Sequence, residues 1–394
     1  MRKHTRINLL YLLLMGVFYV LFCFSVAFLS RFLQEHGFSY TQIATAMMIS
    51  MVCGFLIQPL WGILNDKGIS PKLIVFVTTA LSIIAYFFFT YFGETYIISV
   101  GALVINAIGI AAMMPMIDTW GIKLIGQGAK ISYPIARSFG SLTYAVTSVV
   151  FGIILDAMGI RITPWLMIAA AIPLAVIVLM LPSPRPSQKD DEKLGFSDSI
   201  KILLKHPTYK HFILAFFISG IGWSAHLLYY PIFMSELGGT NRHIGAGIAL
   251  MAFSEVVVMP FYGRLRARFG VRSIFIFSLF GTGIRILATA LSINPFIAIA
   301  VMASQGISGA LIFPSMAAYT SENIDPRVIS TAQMLFAGMG FTLAGVVSNL
   351  ISGHMATAMG VRNTLLITCL SSFIAAAYLL IMTRKSKTVK DAKN

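Results

Sequence analysis

Two acids and two arginines interrupt stretches that are otherwise hydrocarbon: Asp118, Arg137, Glu255 and Arg285. A carboxylate beside a guanidinium can grip polar groups, or take and release a proton as its neighbour's charge approaches and recedes. An ionised group at the centre of a bilayer costs at least ~2.5–3.5 kcal/mol, so it turns toward a partner or a watery cavity. The spacing sorts the four into pairs. Asp118 and Arg137 lie nine and ten residues either side of position 127, and Glu255 and Arg285 each lie fifteen residues from Gly270. Antiparallel helices folded at those points bring each pair level. With a helix ending near Arg264, Glu255 sits about 14 Å deeper at 1.5 Å per residue, close to the middle of a ~30 Å hydrocarbon core. Arg137 and Asp118 therefore read as a grip for polar substrate groups, and Glu255 as a proton carrier controlled by Arg285. Mutual neutralisation that merely ties helices together is the alternative for each pair, although apolar packing would do that as well.

Other polar and aromatic groups fall at matching depths: Asn106, Tyr144, Trp223, His226, Tyr229, Tyr230, Gln305 and Asn349. Trp223, His226 and Tyr230 recur at i, i+3 and i+7, which places them on one helix face able to line a substrate path. The seven histidines are scattered, without a metal-ligand spacing or a nucleophile and base set, so no metal, no cofactor and no enzymatic activity is expected. Cys23, Cys53 and Cys369 stand in separate apolar stretches and read as buried small hydrophobes. No Gly-x-x-x-x-Gly-Lys-Ser/Thr loop occurs, which argues against ATP as the driving force.

The elements that must position these groups are membrane helices. The 394 residues are 57% hydrophobic and 11% charged, with mean hydropathy +0.84, a balance no water-soluble surface tolerates. Apolar runs of helix length predict an all-α membrane protein with twelve transmembrane helices, near 8–33, 42–65, 72–91, 96–120, 132–155, 164–181, 211–234, 243–264, 273–292, 295–320, 328–352 and 362–383. The polar stretch 183–210 reads as a cytoplasmic linker. It divides an N-terminal six-helix bundle, 1–182, from a C-terminal one with a basic tail, 211–394. The net charge of +15 is concentrated: 23 of the 29 Lys and Arg fall in alternate loops and the two tails. The positive-inside bias places both termini in the cytoplasm and makes the lipid bilayer, rather than nucleic acid, the partner of this basicity. Pro59-Leu-Trp-Gly62 and Pro260-Phe-Tyr-Gly263 recur at equivalent places in the halves, each before a basic loop. Such parallel repeats are the pattern of transporters that bind substrate near the midplane.

Gly62-Ile-Leu-Asn-Asp66-Lys67-Gly68 through Lys72 resembles the loop signature of the major facilitator superfamily, and Gly263 to Arg272 its degenerate second copy. The resemblance implies that Gly62, Asp66 and Lys67 belong to a conformational gate. Gln58 to Lys67 and Arg137-Ser-Phe-Gly-Ser-Leu-Thr-Tyr-Ala145 resemble the lactose permease and oligosaccharide–proton symporter branch. By that likeness Arg137 grips sugar, Asp118 is its carboxylate partner, Tyr144 stacks on the sugar ring and Arg285 belongs to the proton-coupling network. The chain departs from that branch at Gln305 and Ser308, where the branch has His and Glu, and at His226, Tyr229 and Phe341, where it has aspartates and a lysine.

The combined expectation is a monomeric secondary transporter of the cytoplasmic membrane that moves a small polar solute, a sugar, glycoside or related metabolite, together with protons by alternating access. Its expected substrate-binding groups are Asp118, Arg137, Tyr144, Trp223, His226, Tyr230 and Gln305, with Glu255 and Arg285 coupling the proton. A proton-coupled efflux antiporter and a nucleoside or aromatic-acid symporter are the alternatives.

Overall fold

Capping residues punctuate the apolar runs and set where each helix begins. Ser39 accepts from the Gln42 amide while the Gln42 side chain returns to the Ser39 backbone, a reciprocal cap that starts a long helix. Pro71 and Pro295 open others, where the missing N–H is harmless. The computed structural model describes residues 2–183 and 196–391, and no strand occurs among them. The helices are α1 (Arg2–Val26), α2 (Leu29–Glu35), α3 (Tyr40–Asp66), α4 (Pro71–Phe92), α5 (Tyr96–Gly126), α6 (Tyr133–Met158), α7 (Thr163–Met180), α8 (Phe196–Lys205), α9 (Pro207–Glu236), α10 (Asn241–Val258), α11 (Tyr262–Ala290), α12 (Pro295–Met302), α13 (Ile312–Asn323), α14 (Ile329–Ala337) and α15 (Ala344–Asp391).

Among the described residues, ten stretches are long and apolar enough to cross a membrane. Two of them, Asn241–Ala290 and Thr331–Thr383, run 50 and 53 residues, far beyond one crossing. Each contains a glycine in the left-handed region, Gly270 (φ 75°) and Gly360 (φ 82°), where α-helical backbone stops and restarts. Dividing both gives the twelve spans expected. The 183–210 stretch carries α8, whose Leu203 is fully buried; residues 184–195, with the Lys189–Lys193 charge run, lie outside the described residues.

Three spans are less regular than their apolar patterns suggest. The first is interrupted at Ala27 and Phe28, between α1 and α2. The span near 295–320 is broken between α12 and α13 by two 3₁₀ turns, Ala303–Gln305 and Gly309–Leu311. The span near 328–352 passes through a π-helical turn, Gly338–Leu343, between α14 and α15. Such interruptions recur where transporters and other proteins build sites.

The chain forms two compact units, Met1–Gln188 with Met234–Phe253, and Lys189–Phe233 with Ser254–Asn394. In the first, α4 and α3 pack along α5, and α1 along α6. The Phe151 ring meets Phe24 and Phe28 at centroid distances of 4.7 and 5.2 Å. Asp156 accepts from the backbone N–H groups of Asn241 and Arg242 at 2.8 and 3.1 Å, capping the start of α10 within this unit. In the second, α11 packs along α15, and α9 meets α14 and α13 through stacked rings, Phe216 on Phe336 at 4.3 Å and Phe212 on Tyr319 at 4.5 Å.

Small residues permit the closest helix approaches. A Cβ on Gly220 would stand 2.1 Å from the Gly340 carbonyl oxygen, a backbone atom of the π-helical turn, whereas one on Gly101 meets nothing within 4 Å. Gly220→Ala should therefore destabilise the protein by about 1–3 kcal/mol and Gly101→Ala should leave it within about 0.5 kcal/mol. Thermal unfolding in detergent, followed by aggregation or fluorescence, checks the contrast.

Candidate functional site

Each unit holds one of the two expected pairs of charges. In the first unit, two turns of α6 present Arg137, Ser141 and Tyr144 on one face, and α5 supplies Asp118. Arg137 Nη1 lies 3.0 Å from Asp118 Oδ2 and 3.3 Å from the Tyr133 hydroxyl. Hairpin spacing placed these two charges level, and they meet. Arg137 keeps 40% of its side chain exposed and Asp118 22%, so the guanidinium has room for a further partner. Tyr11 donates to the Ile117 carbonyl at 3.2 Å and fixes the backbone beside Asp118. Tyr144 packs against Phe22 and Tyr19 of α1, with centroids 5.9 and 6.3 Å away, in an aromatic wall two turns from Arg137.

The second unit buries its centre. Arg285 on α11 is 0% exposed. Its Nη1 donates to Gln305 Oε1, and Gln305 Nε2 donates to Glu255 Oε1 at 2.8 Å. The expected pairing of Glu255 with Arg285 is thus indirect: a neutral amide is interposed, and Gln305, expected as a substrate group, holds the two charges in one chain. The break between α12 and α13 makes this possible. Gly306 N–H donates to Ser254 Oγ at 3.0 Å, and a Cβ on Gly306 would stand 2.3 Å from the Ser254 carbonyl oxygen, so only glycine lets the broken span lie against α10. Gly309 leaves the space that the Gln305 amide and the Trp223 ring occupy; a Cβ there would sit 2.6 Å from Gln305 Nε2 and 2.4 Å from Trp223.

Trp223, His226 and Tyr230 share a buried face of α9, as their spacing predicts. The Trp223 ring lies 5.3 Å from the Arg285 guanidinium carbon and meets Phe341 edge-on at 5.8 Å. His226 Nε2 is 3.0 Å from the Thr289 hydroxyl, which donates to the Arg285 carbonyl. Arg285 Nε and Nη2, Trp223 Nε1 and the Tyr230 hydroxyl make no hydrogen bond among the described residues. Each such buried group costs about 1–3 kcal/mol, and more when charged, a penalty that structural glue alone would not justify.

The residues expected to form a gate lie at the end of α3. Gly62 lines a recess with Gln58, Trp61, Asn65, Pro115, Met116 and Thr119, whose open space is ≈ 550 Å³ including its mouth. Lys67 caps α3 and is exposed. Asp66 ends the helix, and its side chain lies outside the described residues. Among the described residues no group of three His, Cys, Asp or Glu converges as a metal site would. Sequence reasoning missed Tyr133 and Thr289, although each lies four residues from an arginine of interest and could have been found on the same helix face. Nothing in the sequence signalled the contact of Ser254 with Gly306.

The spans define a multi-pass membrane protein. The MFS_1-like family matches residues 4–367, and the chain belongs to that family of the major facilitator superfamily. It is 23% identical over 379 residues to the maltose permease of Geobacillus stearothermophilus, covering 95% of each chain. Its fold is similar to that of the nucleoside transporter NupG, in a point-mutant form, with TM-score 0.84 at 15% identity, covering 95% of this chain and 99% of that one. It is also similar in fold to an auto-inhibited peptide transporter of the POT family, with TM-score 0.76 at 11% identity, covering 96% of this chain and 97% of that one.

The single contact between Arg137 and Asp118 leaves the guanidinium fork as the feature a lysine cannot supply. Arg137→Lys should weaken substrate binding about 10-fold or more while the protein stays folded, because a point charge replaces a planar two-pronged donor. Equilibrium binding of a transported solute checks this; unchanged affinity would assign the pair to helix packing.

Proposed function

We propose that the protein is a proton-coupled symporter that brings a small polar solute, a sugar, glycoside or related metabolite, across the cytoplasmic membrane by alternating access, as a monomer with both termini in the cytoplasm. The observation that carries this reading is the chain Glu255, Gln305, Arg285. A carboxylate bound through charge-assisted hydrogen bonds is held about twice as strongly as a neutral one. When Glu255 takes a proton, its bond from Gln305 weakens and the Arg285 charge loses its counterion. Gln305 cannot titrate, so one proton changes the net charge of the centre by one and no neighbouring amide absorbs the change. Partial exposure of Glu255 beside fully buried Arg285 gives protons a way in while keeping the cation dry.

In the first unit, Arg137, Asp118 and Tyr144 provide what a hydroxylated ring needs: a fork of donors, an acceptor and an aromatic wall. The kinship with a maltose permease supports a sugar or glycoside as cargo. Gly62, Asp66 and Lys67 then serve the conformational change, not the solute.

Glu255→Gln fixes the carboxyl in a neutral form. Accumulation driven by an inward proton gradient should fall to the equilibrium level, while exchange of preloaded solute continues at a rate within about threefold of the parent. Proteoliposomes loaded at defined internal and external pH separate the two. Accumulation that survives the substitution would remove Glu255 from the coupling role.

A further inference from the structure

We infer that the transported solute carries a carboxylate, which docks on the Nε and Nη2 edge of Arg285. This deepens the symport reading of the same centre and rests on it. The guanidinium has two ends with different fates. Nη1 is held by Gln305, whereas Nε and Nη2, which lie side by side in the guanidinium plane, make no hydrogen bond among the described residues. Yet the residue is 0% exposed. Two parallel N–H groups match the two oxygens of a carboxylate, the bidentate geometry that distinguishes arginine from lysine. A buried charged donor without an acceptor calls for one.

The surroundings share this bias. Trp223 Nε1, on the ring beside the guanidinium, is also a donor without a partner among the described residues. Each hydroxyl of a neutral solute brings a donor along with its acceptor sites; a carboxylate brings acceptors alone. The Trp223 ring beside the cation, with Phe341 edge-on against it, is an apolar surface that suits the body to which the acid is attached.

Docking also explains how anion and proton travel together. The titratable groups facing Arg285 are Glu255 of α10, through Gln305, and His226 of α9, through Thr289. His226 bears no negative charge, so one cation serves two carboxylates, that of Glu255 and that of the solute. Arrival of the solute anion displaces Glu255 as counterion, and Glu255 takes up a proton to become a neutral carboxylic acid. One anion and one proton are then bound together, and the charge of the centre is unchanged.

The test uses the purified full-length protein and two matched pairs of probes, glucuronate with glucose and benzoate with benzamide. Binding is measured by thermal shift and titration calorimetry at about pH 5.5 and about pH 8, a range that spans shifted carboxylates. At least one acid should bind while its neutral partner does not. Its affinity should fall at least ~10-fold at the higher pH and at least ~10-fold in Arg285→Lys. Glu255→Gln, which leaves Arg285 intact, should bind that acid equally well at both pH values; this keeps the proposal open to refutation even where Arg285→Lys does not fold. Equal binding of acid and neutral partner, binding of neither acid at millimolar concentration, unchanged affinity in folded Arg285→Lys, or persistent pH dependence in Glu255→Gln overturns the docking. Gradient-driven uptake of a neutral solute without acid binding would discard the carboxylate and retain proton coupling. Acid binding that follows Arg285 without gradient-driven uptake would do the reverse.

Discussion

A fully buried guanidinium is the constraint around which the C-terminal unit is arranged. Moving a cation from water into a low-dielectric interior carries a penalty of several kcal/mol unless hydrogen bonds, counterions and polarizable faces replace its hydration. Arg285 receives each kind of compensation in part: the Gln305 amide at one nitrogen, the Glu255 charge one step further away, and the Trp223 ring over its plane. Compensation is incomplete in geometric terms, because the guanidinium edge opposite Gln305 has no partner among the described residues. A centre satisfied on every side would be an inert tie; this one retains free hydrogen-bonding capacity.

Backbone irregularity and this centre are linked through sequence. An unbroken helix over 295–320 would hold Gln305 by its own periodicity, and the close contact with α10 requires the 3₁₀ turns and Gly306. The π-helical turn at Gly338–Leu343 performs a related task, presenting Phe341 to Trp223 while Gly340 admits the backbone at Gly220. Regular hydrogen bonding is given up at these places, and side-chain contacts of the same unit stabilise them instead.

Much of this was legible in the residues themselves. Twelve apolar runs are a coarse, highly redundant signal, and they identify the spans even where helices merge through Gly270 and Gly360. Level pairing of Asp118 with Arg137 followed from counting along a hairpin, since two straight antiparallel helices leave little freedom. The same count brought Glu255 near Arg285 but missed the amide between them. That arrangement depends on a third span, and on an interruption whose Gly306-Ile-Ser-Gly309 sequence is as apolar and small as any packing stretch. Periodicity reports which face is buried, not which neighbour meets it.

The fixed orientation of the Gln305 amide has one more consequence. Its carbonyl faces the guanidinium and its NH₂ faces the carboxylate, so the group dipole is aligned between opposite charges and cannot flip without opposing both. The two ends of the chain are therefore not interchangeable: exchanging the acid and the base between their two positions would need the amide to rotate half a turn within the tight space left by Gly309. The handedness of this polar thread ties the acid to the more accessible end and the cation to the dry one.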